Sequence, residues 1–131
     1  LIARAQFLEA VRSCIGTPVG HHGRKIGAAL DCVGVPWAAA VACGLDLPPT
    51  PRYGKLPSGD ELRSGLALFC DLVADPADAH VLQVYAGRQP RHVVVPVGNG
   101  MVVHAWARHR IVQETREPRD IALRWRIRGI E

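Results

Sequence analysis

The apolar period of this chain changes once, at His80, and that change limits the folds open to it. Up to Val73 apolar residues recur at helical spacing. From His80 the segments 80–87, 91–97, 101–107 and 110–115 are strand-like and rich in Val and Ile. Leu123 to Ile130 alternates apolar residues with arginine, as a half-exposed strand does. Helices first and strands after them imply an α+β domain, with N-terminal helices packed on an antiparallel β-sheet. With 131 residues, 48% hydrophobic and 21% charged, the chain fits one globular domain spanning 1–131.

Three helices are expected before the switch. Phe7, Leu8, Val11, Cys14 and Ile15 share a face opposite Arg4, Glu9 and Arg12, and Gly16 supplies a stop. The second helix runs from about Cys32 to Gly44, capped by Asp31, with Pro36 tolerated near its first turn. Its Ala-rich stretch after Trp37 is apolar nearly all round, which marks a central, buried helix. Ser58 and Glu61 form a capping box for the third, continued by Leu62, Leu66, Phe69 and Val73. A Gly-rich loop, Gly16 to Leu30, and a Pro-rich surface connection, Asp46 to Pro57, separate them. A short helical turn is expected after Pro118.

Composition narrows the function classes. No apolar run approaches the roughly 18 residues of a transmembrane helix, and no signal peptide opens the sequence, so membrane insertion is not expected. None of the four cysteines forms a Cys-x-x-Cys pair, which argues against a zinc ribbon or a thioredoxin-like site. Cys14, Cys43 and Cys70 fall in helical patterns and read as buried core thiols. A metal site through His21, His22, Cys32 and His104 lacks compact ligand spacing. The formal charge of +4 gives only a weak pull toward acidic partners. Arg124, Arg126 and Arg128 alternate with Trp125 and Ile127 as a solvated strand face does, so no nucleic-acid partner is expected.

Cys32 carries the sharpest chemical signal. A thiol in the first turn of a helix faces free N–H groups and the positive helix end, which favours thiolate over the ordinary pKa of about 8.5. A histidine base is needed, and His92 and His104 lie on neighbouring strand segments joined by Gly98-Asn99-Gly100. With a two-residue loop, Gly98 pairs with Met101 and His104 faces Val95, on the side away from His92. With a three-residue loop, Val97 pairs with Met101 and His104 faces Val94, sharing a sheet face with His92. Gly100 suits the left-handed position of the longer loop, so that form is predicted, with both rings on the face that meets the second helix. Cys32, His92 and His104 then form a nucleophile, a base and an orienting group.

These residues resemble the NlpC-type cell-wall peptidases, papain-like enzymes that cut peptidoglycan stem peptides. The similarity begins at Gly16-Thr17-Pro18, continues through His21-His22-Gly23-Arg24 and Asp31-Cys32-Val33-Gly34, and resumes at Arg91-His92-Val93, Gly98-Asn99-Gly100 and Val103-His104-Ala105. The intervals, 60 positions from Cys32 to His92 and 12 from His92 to His104, suit that family. Leu47-Pro48-Pro49-Thr50-Pro51-Arg52-Tyr53-Gly54 is similar to the branch found in phage tails and gene transfer agents.

The resemblance implies a papain-like fold in which Cys32 is the nucleophile, His92 the general base and His104 the orienting residue. Asp31, His21 and Trp106 would contact substrate. The implied reaction is amide hydrolysis through an acyl-enzyme, often between D-glutamate and a diamino acid, with no metal or cofactor. The implied setting is the tail of a virion or gene transfer agent particle, with tail hub or baseplate proteins as partners, acting in the bacterial periplasm and cell wall. The alternative is a structural tail or baseplate module with the same fold and little catalysis. Four departures from the family pattern bear on that choice. Val19 stands where an aromatic, often Tyr, is usual, and Val94 where Gly or Ala is common. Ala79-His80 replaces Gly-Asp, and Pro96 interrupts a strand.

Overall fold

The computed structural model describes residues 1–131. Helix α1 spans Arg4–Ser13 and buries Phe7 and Val11; Gly16, at φ +90°, turns the chain away from it. A two-residue ribbon, β1 (Arg24–Lys25) and β2 (Ala29–Leu30), leads into α2, Gly34–Ala42. Asp31 caps α2 as expected. Its Oδ1 accepts the Gly34 N–H at 2.8 Å and its carbonyl accepts the Val35 N–H at 3.2 Å, so the chain already turns helically at Cys32. Helix α3, Gly59–Ala67, opens on the complete Ser58–Glu61 capping box.

The third helix is shorter than its apolar spacing suggested. Phe69 lies beyond it, and Cys70–Val73 is a strand, β3. The guanidinium of Arg128 donates to the carbonyl of Leu68 at 2.6 Å and to that of Cys70 at 3.0 Å, tying the end of α3 to the sheet. Cys70 is buried as expected, though in a strand, while Cys43 is only half-buried. No helical turn follows Pro118. The one 3₁₀ turn is Pro76–Asp78, where the Asp75 carboxylate accepts the Ala77 N–H at 2.9 Å.

The remaining strands are β4 (Val81–Ala86), β5 (Gln89–Gly98), β6 (Met101–Trp106), β7 (Ile111–Arg116) and β8 (Ile121–Ile127). They form one antiparallel sheet in the order β3-β8-β4-β5-β6-β7, so the architecture is α+β with helices preceding the sheet. One face, carrying Val81, Val93, Val95, Val103 and Ala105, packs with Phe7, Val35, Ala39, Leu62 and Leu66 of the helices. Each such fully buried large side chain contributes on the order of 1.5–3 kcal/mol relative to exposure. Leu82, Val84, Val94 and Val102 form a smaller cluster on the other face.

The β5–β6 hairpin reaches the expected register by a different device. Asn99 and Gly100, at φ +56° and +71°, make a two-residue turn closed by Gly98 and Met101. A bulge between Pro96 and Gly98 then absorbs one residue, so Val95 pairs with Val103. The histidines consequently share a face. It is not the face that meets α2, as expected, but the opposite one, with Val94 and Val102. Pro96 sits beyond the Val94–Leu82 end of the β4 pairing, where its missing N–H removes no bond to β4.

Candidate active site

The first turn of α2 is fixed by a saturated carboxylate. Asp31 Oδ1 accepts from Gly34 N–H and from Arg24 Nη1 at 2.6 Å, while Oδ2 accepts from His22 N–H at 3.1 Å and from the Tyr53 hydroxyl. Arg24 Nη2 extends the network to Tyr53 Oη at 2.9 Å and Thr50 Oγ1 at 2.7 Å. The Arg24–Asp31 pair is largely buried, with side chains 18% and 12% exposed. Every acceptor position of Asp31 is therefore engaged within the protein. Asp31 lines the cavity and also has a positioning role, holding three loops around Cys32. The packing is tight: a Cβ on Gly34 would stand 2.1 Å from the Gly23 carbonyl oxygen.

Tyr53 is the site residue that sequence reasoning missed. It lies in the Pro-rich connection expected to be surface, yet it is only 8% exposed. The His22 ring lies against it, with Nε2 3.1 Å from Tyr53 N and 2.8 Å from Tyr53 O. The available signal was a lone aromatic among four prolines, which has little reason to sit in water.

Across the cleft, His92 Nε2 lies 2.7 Å from His104 Nδ1, and His104 Nε2 lies 2.9 Å from Thr115 Oγ1. If His92 is to accept a proton at Nδ1, its Nε2–H donates to His104 Nδ1 and His104 Nε2–H donates to Thr115. Thr115, on β7, is a second residue the sequence did not flag. Strands β5 and β6 pair only from Val95 and Val103 toward the hairpin, so their ladder opens beside the two rings. The backbone N–H groups of Val93 and Val33 favour the Cys32 thiolate, but less than burial opposes it. No hydrogen bond joins the thiol to His92 itself.

Cys32, His92 and His104 line one cavity of about 920 Å³, together with Val19, Val94, Tyr53, His21 and Trp106. His21 is exposed at its edge. Trp106 forms part of the wall, with His104 and His109 rings at centroid distances of 5.2 and 4.9 Å. The expected depression of the thiol pKa is reversed. Burial first, and then the adjacent Asp31 carboxylate, push Cys32 up to about 12 against the opposing pull of the Val93 N–H and Arg24. Burial, with His104 beside it, pushes His92 down to about 4, and burial lowers His104 as well. The pair therefore rests as neutral thiol and neutral imidazole at pH 7.

No protein-family model and no curated protein matches the sequence, but solved structures match its fold. The P60 domain of antigen MAP1204 from M. avium subspecies paratuberculosis aligns with a TM-score of 0.63 and 16% identity, over 94% of this chain and 93% of that one. The non-catalytic NlpC/p60 domain protein RipD of Mycobacterium tuberculosis gives 0.62 and 18%, over 95% of each chain. The fold is that of the NlpC/P60 domain. The peptidoglycan hydrolase RipB of Mycobacterium tuberculosis shares it, with a TM-score of 0.58 and 22% identity over 98% of this chain and 68% of that one. In this NlpC/P60 fold the start of α2 and the β5–β6 pair bring the predicted Cys and His residues to one cavity.

Proposed function

We propose that this chain is a cysteine peptidase that hydrolyses amide bonds of peptidoglycan stem peptides. The observation that carries the reading is the shared cavity of Cys32 and the His92–His104 pair. In the acylation step, Cys32 Sγ bonds to the substrate carbonyl carbon as its proton passes to His92 Nδ1. His92 then protonates the leaving nitrogen and the C–N bond breaks. In deacylation, water gives a proton to His92, its oxygen bonds to the thioester carbon, and the C–S bond breaks as His92 returns the proton to Cys32 Sγ. Because thiol and imidazole rest neutral, proton transfer accompanies attack, and substrate binding tightens an approach that the free site leaves unbonded. The Cys32 N–H donates to no backbone carbonyl and is the donor at hand for the oxyanion. Val19 cannot donate, and the Tyr53 hydroxyl is already engaged with Asp31.

The finer setting is a phage-like tail or gene transfer agent particle that opens the host wall locally from the periplasmic side, docked on tail hub or baseplate proteins. It rests on the resemblance of Leu47 to Gly54. A second reading, a weakly catalytic tail or baseplate module that binds stem peptides, is favoured by the raised Cys32 thiol and by Val19. The fold it shares with non-catalytic RipD is compatible with it. Digestion of purified sacculi by wild type and Cys32→Ala, with mass spectrometry of released muropeptides, separates the two. Release by wild type alone supports the peptidase, and retention of sacculi without release by either supports the binding module.

A further inference from the structure

The charge of the cavity wall is one-sided. Lys55, Arg91, Arg108 and Arg116 line it, and the lining carboxylate Asp31 is saturated within the protein. The ion pairs of the structure are Arg24–Asp31 and Arg128–Asp71, so none of the four lining cations has a carboxylate partner. Lys55, Arg108 and Arg116 are exposed at the rim. Arg91 differs. It immediately precedes His92 on β5, is half-buried, and its Nε is the one buried side-chain nitrogen or oxygen in the structure with no hydrogen-bond partner. A buried donor left unpaired costs about 1–3 kcal/mol, more when charged, a cost that an acceptor reaching the guanidinium would relieve. A guanidinium fork matches a carboxylate in two parallel hydrogen bonds.

We propose that Arg91 is a specificity-determining residue that binds a free carboxylate of the substrate beside the scissile amide, with Lys55, Arg108 and Arg116 steering anionic peptides into the cavity. The inference rests on the stem-peptide reading of the same cavity and deepens it. A γ-linked D-glutamyl residue keeps its α-carboxylate free close to the reacting carbonyl, and Arg91 lines the same cavity as Cys32 and His92. Its α-carboxamide counterpart has the same shape and no charge. The cavity therefore discriminates between two peptides that differ in one group.

The test is calorimetric titration of Cys32→Ala protein with L-alanyl-γ-D-glutamyl-diamino acid peptide and with its α-carboxamide form. The carboxylate peptide is expected to bind at least about tenfold more tightly, as a charge-assisted pair warrants, and to weaken with added salt. In Cys32→Ala/Arg91→Gln protein that preference is expected to fall to about twofold or less. Equal affinities, preference for the carboxamide, binding of neither peptide, or a preference unchanged by Arg91→Gln overturns the proposal. The comparison of the two peptides decides the matter even if Arg91→Gln fails to fold. Turnover by wild-type protein scores the peptidase reading separately. Both peptides cleaved at equal kcat/KM keeps that reading and overturns the role of Arg91. A carboxylate preference in binding without cleavage keeps Arg91 and overturns the peptidase.

Discussion

His92 Nε2 lies 2.7 Å from Nδ1 of His104, on a face that a one-residue slip of the hairpin would have divided. An imidazole partner orients the base without adding the negative charge that would stabilise its protonated form. Burial lowers His92, and the like charge of a protonated His104 lowers it further, where a carboxylate would raise it. The kinetic consequences follow from the hydrogen-bond order. His104→Ala is expected to lower kcat by about 10²-fold or more, because an unoriented base loses much of its catalytic contribution. Thr115→Val, which removes only the partner of His104 Nε2, is expected to cost about tenfold in kcat with little change in KM. Steady-state assays on a defined stem peptide check both.

The pH profile is expected to be wide on both sides. His92, pushed down to about 4, accepts a proton from the thiol only while neutral, so kcat/KM is lost as pH falls through about 4 and not near 6.5. Cys32, pushed up to about 12, stays protonated far above pH 8.5. Iodoacetamide labelling of Cys32 is therefore expected to climb only at strongly alkaline pH, read by peptide mass spectrometry across a pH series.

Asp31 is expected to matter for folding before it matters for chemistry. Asp31→Ala strands the Arg24 guanidinium and removes four acceptor contacts, a loss of about 3–5 kcal/mol for a buried pair. Tyr53→Phe removes one hydroxyl and is expected to cost about 1–2 kcal/mol. Denaturant unfolding gives both values, and hydrogen exchange is expected to show faster opening of residues 45–58 in Tyr53→Phe.

Gly34→Ala probes the close approach beneath Cys32. Its Cβ would meet backbone, not a flexible side chain, so the first turn of α2 must shift. A cost of about 1–3 kcal/mol is expected in unfolding experiments, accompanied by a fall in kcat as Cys32 moves relative to His92.

The parts of the fold legible in the sequence are those set by local chemistry. The capping box of Ser58 and Glu61, the stop at Gly16 and the cap at Asp31 are each decided within four residues. Strand β3 was hidden because Phe69 and Val73 continue a helical spacing, and its partner β8 lies more than 50 positions away. The common face of the two histidines was readable from the parity of the turn, whereas which face covers α2 depended on how the whole sheet packs. Helix position suggested a depressed thiol pKa, but burial of Cys32 beside Asp31 outweighs it, and burial is a property of the assembled cleft. Tyr53 shows the same limit, since its hydroxyl finds Asp31, 22 positions earlier, only after the chain folds back.

The central claim is that Cys32 attacks a peptide carbonyl. Rapid-quench mixing with a defined stem peptide, followed by intact-protein mass spectrometry, tests it most directly. The expected result is a covalent adduct of the acyl fragment on Cys32 together with release of the amine fragment, both absent in Cys32→Ala. Cleavage that continues unchanged in Cys32→Ala would contradict the account.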